Sequence, residues 1–242
     1  MTIYACYFGA GVKDQWPRLA RVLAYTAAQH CAAWTLQIDA IGYPRPLARV
    51  SAGYVDNTHK LDRWCEVVAA AADGTQLLLI DADTVILRPL DSVWETAFDV
   101  AYTTRPATSR FPLNAGVIFV RVSDRSRAFL RAWRDENRQM LKDTDRHQPW
   151  RKKFGGINQA ALGAVLASPR AADMAIARLP CAEWNCEDST WPLFDPAVTR
   201  ILHVKSQLRL AIFQGVSGAA RWKSLVALWR ARELAAGRSA SV

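Results

Sequence analysis

The stretch Leu77-Leu78-Leu79-Ile80-Asp81-Ala82-Asp83-Thr84 is an apolar run that ends abruptly in two carboxylates one residue apart. A run of this kind fits a strand buried on both faces, and in an open α/β sheet ligands bind outside the carboxyl ends of the strands. Paired acids at that end can hold a divalent cation and, through it, a charged ligand. The structural alternative is an Asp/Thr turn that caps a core strand. Features elsewhere in the chain must decide between the two.

Upstream, residues 2–8 read as a buried strand ending at Gly9-Ala10-Gly11, and residues 16–31 carry a helical period with Leu19, Val22, Leu23 and Ala27 on one face. A second strand over residues 34–41 completes a β-α-β opening, the start of a nucleotide-binding α/β sheet. Residues 42–57 read as a loop, and residues 60–72 as a helix that ends at Asp73-Gly74 and feeds the strand before the acids. Downstream come a short helix at 90–94, strands at 100–103 and 113–120, and a helix capped by Ser123 that runs to about Met140. Residues 143–154, with Arg146, His147, Trp150, Arg151, Lys152 and Lys153, read as an exposed basic loop. Gly155-Gly156 opens a helix over 157–166, and residues 201–204 form a late strand. The expected organisation is one α/β domain over 1–214, with a nucleotide-binding half to about 104 and a second half from 105, followed by a basic C-terminal segment over 215–242.

The 242 residues are 51% hydrophobic and 22% charged, the balance of a globular chain with an ample core and not of a disordered one. A net charge of +9 attracts polyanions, whether nucleotide diphosphates, anionic lipid or nucleic acid. The five cysteines form no regular framework, which fits a reducing compartment, and Cys181 and Cys186 lack the second Cys/His pair that a zinc site needs. The N-terminus shows no basic segment followed by an apolar core, so a cytoplasmic protein is expected. In residues 219–234, Trp222, Leu225, Val226 and Trp229 share one helical face, with Arg221, Lys223, Arg230 and Arg232 mostly elsewhere. Such a helix either lies on anionic lipid at the inner face of the membrane or packs against its own domain.

His203 follows an apolar strand and precedes Lys205 and Arg209. Taken in order, the strand into Asp81-Ala82-Asp83, then Asn114-Ala115-Gly116-Val117, then Gly155-Gly156-Ile157-Asn158-Gln159-Ala160, then Leu179-Pro180 with Asn185 soon after, then Ile201-Leu202-His203, resembles the glycogenin-like family 8 glycosyltransferases. The resemblance runs from the first strand to about Arg209. It implies an A-type fold in a single domain, a Rossmann-like mixed and mainly parallel sheet flanked by helices. It also implies metal-dependent transfer of a sugar, with retention, from a nucleotide-diphosphate sugar, UDP-linked, to an acceptor hydroxyl on a glycan, lipid-linked molecule, protein or DNA.

By the same resemblance Asp81, Asp83 and His203 hold Mn²⁺ or Mg²⁺, which suits hard carboxylates with one imidazole. Ala5 and Tyr7, with Phe8, lie under the base. Lys60, Ala82, Asn114, Ala115, Gly116, Lys205 and Arg209 contact the donor, with Arg209 in place of the family's diphosphate lysine and Ser206 in place of its glycine. Asn158-Gln159 stands where the family carries Asp-Gln beside the reacting sugar, and with Asp83 makes up the expected catalytic set. An amide is neither a general base nor a carboxylate nucleophile. It is left to hydrogen-bond the sugar or to support a front-face mechanism, unless Asp143, Asp145 or Glu183 supplies a carboxylate. A DNA-modifying glycosyltransferase, a nucleotidyltransferase and a non-catalytic nucleotide-binding protein of the same fold are the alternatives.

Overall fold

The computed structural model describes residues 1–9, 15–42, 47, 50–215 and 222–239. The elements in chain order are β1 (Thr2–Phe8), α1 (Trp16–His30), β2 (Thr35–Ile41), α2 (Ala52–Ala70), β3 (Gln76–Asp81), β4 (Thr84–Ile86), β5 (Val100–Thr104) and β6 (Leu113–Arg121). They continue with α3 (Asp124–Lys142), α4 (Thr144–Phe154), α5 (Ile157–Leu166), β7 (Ile176–Pro180), α6 (Cys181–Trp184), β8 (Ile201–His203), α7 (Ser206–Gln214) and α8 (Lys223–Ser239).

Six strands form one sheet in the order β2-β1-β3-β6-β5-β7. β1 runs parallel to β2 and β3, and β5 parallel to β7, while β6 opposes both of its neighbours. The sheet is therefore mainly parallel, with one reversed strand. Leu78, Leu79 and Ile80 are fully buried because both faces of β3 are covered. On one face Leu79 joins Trp64 of α2, Trp133 of α3 and Ile157 of α5; on the other, Leu78 and Ile80 join Leu23 of α1 with Trp34 and Trp184. Ser123 caps α3 by accepting from the Ser126 N–H, and the Ser126 side chain accepts from the Ser123 N–H in return.

Two readings of the sequence change, and one left open is decided. α2 begins at Ala52, so residues 52–57 are helix and not loop. Residues 144–154 are also helical: Asp143 caps α4 through the N–H groups of Asp145 and Arg146, His147 and Phe154 turn inward, and Arg146 pairs with Glu136. With so few apolar residues on α4, its period becomes visible only once a neighbouring surface receives them. At the C-terminal end, Leu225, Val226 and Trp229 are buried in one cluster with Leu19 and Val22 of α1, and Arg18 pairs with Glu233 at 2.6 Å. The apolar face of α8 is thus covered by its own domain and not offered to lipid. Among the described residues no helix is long and apolar enough to cross a membrane.

Candidate functional site

Asp81 is the last residue of β3, and three residues later β4 begins. β4 pairs antiparallel with β8, with Thr84 opposite His203, and the Val204 N–H donates to the Asp83 carbonyl at 2.7 Å. This small second sheet carries the His203 ring to the carboxyl end of β3. Nε2 of His203 lies 3.1 Å from Oδ1 of Asp83 and 3.7 Å from Oδ2 of Asp81. One ligand atom from each of the three residues falls within 4.8 Å of the others, the reach of a single cation. A side chain at Gly116 would fill this space, since a Cβ there would stand 2.6 Å from His203 Cε1 and 2.8 Å from Asp81 Oδ2.

The orientation of His203 is fixed from behind. The Thr103 hydroxyl donates to the Asn114 carbonyl, and so it receives the Asn185 side-chain N–H at 2.8 Å. That leaves Asn185 Oδ1 facing His203 Nδ1 at 2.9 Å, which requires Nδ1 to carry the proton. In the neutral ring the Nε2 lone pair then points at two carboxylates, an arrangement that a bound cation satisfies. Without a cation, a proton on Nε2 takes its place: burial works against ionisation of Asp83, but protonated His203, with Arg209 and Lys60, outweighs it and holds the carboxyl below its ordinary range. The donor set, its spacing and its orientation all fit a divalent ion.

These residues floor a cavity of about 420 Å³. Tyr7, Lys60, Ala82, Asn114, Ala115, Gly116, Asn158, Gln159, Lys205 and Arg209 all line it. Lys60 is buried and donates to Asp81 at 2.5 Å, so it is no solvated surface residue. Arg209 reaches Asp83 at 3.2 Å and stacks over Trp16. Lys205 lines the cavity with its ammonium paired to the buried Glu187 at 2.7 Å. Asn114 Oδ1 accepts from the Gly116 N–H, whereas its Nδ2 is buried with no hydrogen-bond partner.

Ala5 does not line the cavity. It is fully buried between Ile38 of β2 and Ile80 of β3, and Cys6 lines the cavity instead. Asp143, Asp145 and Glu183 are also elsewhere: the first caps α4, the second lies on that helix, and the third pairs with Arg200. The carboxylate that does line the cavity beside Asn158 is Asp56 of α2, with Gly53 and Asn57. Reading 42–57 as loop hid these three. Val55, Thr58 and Leu61, all buried, would have extended the helical period far enough back to include them.

Asn158 itself is held by structure. Its Nδ2 donates to the Asn57 carbonyl at 3.0 Å, its Oδ1 accepts from Asn137, and its backbone carbonyl accepts the Trp133 indole N–H. Asn137 in turn accepts from Thr58. An aspartate at 158 would face the Asn57 carbonyl with an oxygen where a donor is required.

No protein-family sequence model matches the chain, and no curated protein matches it. Solved structures do. One is a glycosyltransferase involved in the glycosylation of the major capsid of PBCV-1, with a TM-score of 0.59 at 13% identity over 86% of this chain and 95% of that one. The chain has a glycosyltransferase fold. The apo form of the glycosyltransferase GlyE from Streptococcus pneumoniae TIGR4 shares this fold, with a TM-score of 0.53 at 12% identity over 85% of this chain. Only 54% of GlyE is covered, so this chain spans about half its length. Within the glycosyltransferase fold of this chain, the acid pair, His203 and the cavity lie at the carboxyl end of the parallel strands, where the sheet reverses direction between β3 and β6.

Proposed function

We propose that this protein is a metal-dependent glycosyltransferase that moves a sugar from a nucleotide-diphosphate sugar, UDP-linked, to an acceptor hydroxyl. The observation that carries the reading is the convergence of Asp81, Asp83 and His203 Nε2 within 4.8 Å on the floor of the cavity. The charge balance supports it. Lys60 and Arg209 offset Asp81 and Asp83 at the floor of the cavity, which is neutral with neutral His203, while Lys205 is already paired with Glu187. With a divalent cation the floor carries two positive charges, matched to the two negative charges of a sugar-linked diphosphate.

A cation held by the triad, Mn²⁺ or Mg²⁺, offsets the diphosphate charge and stabilises it as a leaving group. Lys60 and Arg209 hold that end of the ligand, and the unpartnered Nδ2 of Asn114 offers it a hydrogen bond. Tyr7 and Phe8, at the end of β1, form the wall for the base. With the Asn158 amide engaged on both sides, this reading takes the front-face course with retention. The sugar–phosphate bond breaks, the acceptor oxygen joins the anomeric carbon, and the acceptor proton passes to the departing phosphate oxygen.

The test is binding of UDP to the purified chain by calorimetry with Mn²⁺ and with chelator, followed by UDP release from a panel of UDP-sugars. Metal-dependent UDP binding with UDP release above background supports the reading. Binding without release turns it toward a non-catalytic nucleotide-binding protein, and absence of binding with every nucleoside diphosphate ends it.

A further inference from the structure

Of the three carboxylates that line the cavity, Asp81 receives Lys60 and faces His203, and Asp83 faces His203 and receives Arg209. Asp56 takes no hydrogen bond and enters no ion pair among the described residues, and it stands outside the group of three that can share a cation. It lies on α2 four residues before Lys60, so the two project from one face of the helix into the same cavity. Its position is rigid, because the next residue, Asn57, gives its carbonyl to Asn158 at the start of α5. Burial pushes its carboxyl above the ordinary range, against a smaller opposing effect of His59.

Three of the amide side chains that line the cavity with it each spend a donor on the backbone. The amide nitrogens of Asn57, Asn158 and Gln159 donate to the carbonyls of Gly53, Asn57 and Phe154. A carboxylate offers only acceptor oxygens; it repels phosphate and other anions and binds hydroxyl groups through charge-assisted hydrogen bonds.

We propose that Asp56 determines which sugar the site accepts, taking hydrogen bonds from hydroxyl groups of a neutral donor sugar and rejecting a sugar that carries its own carboxylate. The inference rests on the nucleotide-sugar reading of the cavity. On that reading Asp56 supplies the sugar-side carboxylate that position 158 does not.

The experiment compares wild type with Asp56→Ala and Asp56→Asn in two measurements: UDP affinity with Mn²⁺, and kcat/KM for UDP release from UDP-glucose, UDP-galactose and UDP-glucuronate. The expected result is unchanged UDP affinity in both variants, with kcat/KM for the best neutral donor lowered about 10- to 100-fold, the range for losing a hydrogen bond to a charged group. Preference for that donor over UDP-glucuronate should shrink in Asp56→Asn, which keeps the shape and removes the charge. Unchanged kcat/KM in both variants overturns the proposal, and so does an equal loss of UDP affinity, which would place Asp56 at the phosphate end or in the fold. If wild type binds no nucleoside diphosphate with metal, or binds UDP but releases none from any donor, the parent reading fails and this one falls with it.

Discussion

His203 Nδ1 lies 2.9 Å from Oδ1 of Asn185, and that contact decides what the other ring nitrogen can do. Because Thr103 obliges Asn185 to present its oxygen, His203 must donate through Nδ1, and Nε2 keeps its lone pair toward Asp81 and Asp83. Asn185→Leu removes the acceptor and frees the ring. We expect Mn²⁺ affinity to fall about 10- to 100-fold, the usual effect of losing a partner behind a metal-ligating histidine. Calorimetric titration of the full chain with Mn²⁺ checks this, and an unchanged affinity would show that the ring is held by packing alone.

Gly116→Ala tests the cradle. Its methyl group would meet the His203 ring and the Asp81 carboxylate at 2.6 and 2.8 Å, on a buried strand with little room to move. Metal-dependent UDP binding should be lost, while stability falls by only about 1–3 kcal/mol, as for other overpacked positions. Retained binding in a folded variant would mean that no ligand needs that space.

Asn158→Asp restores the residue type that the family resemblance leads one to expect, and it should do harm. The N–H that reaches the Asn57 carbonyl disappears and an anionic oxygen takes its place in a buried network. The cost is about 1–3 kcal/mol for the unmet carbonyl, and more for the charge, read as a lowered urea midpoint. UDP release should not rise. A gain in turnover without loss of stability would contradict the structural role given to Asn158.

Ser206 is the one non-glycine residue with a positive φ among the described residues, at 47°. It follows Lys205 in the turn from β8 into α7 and occupies the position of the family's glycine. The residue bears the strain of that conformation. An L-residue there costs about 1–2 kcal/mol, against about 0.5–1 kcal/mol for the greater freedom that glycine loses on folding. Ser206→Gly should therefore raise the unfolding free energy slightly, by less than about 1.5 kcal/mol, with UDP affinity preserved. Denaturant titration checks the sign.

The sequence by itself determined the parts of this protein in which neighbouring residues share one environment. The run from Leu77 to Ile80 fits a strand covered on both faces, and it delivers Asp81 to the carboxyl end of the sheet. The Ser123 cap and the helix after Gly155-Gly156 were equally local, since each depends on residues within one turn. Tertiary structure decided what distant residues do to one another. Ala5 and Tyr7 belong to the same strand, yet Ala5 ends beneath flanking strands and Tyr7 reaches the cavity. The apolar stripe of α8 was compatible with lipid or protein until α1 supplied a matching surface. Asn158 read as a damaged catalytic position until the Asn57 carbonyl, 101 residues away in sequence, showed why an amide is needed. Asp56 drew no notice in a polar segment until α2 placed it in line with Lys60. Periodicity reports which face of an element is apolar, but the partner that meets a polar atom comes from elsewhere in the chain, and only the folded arrangement names it.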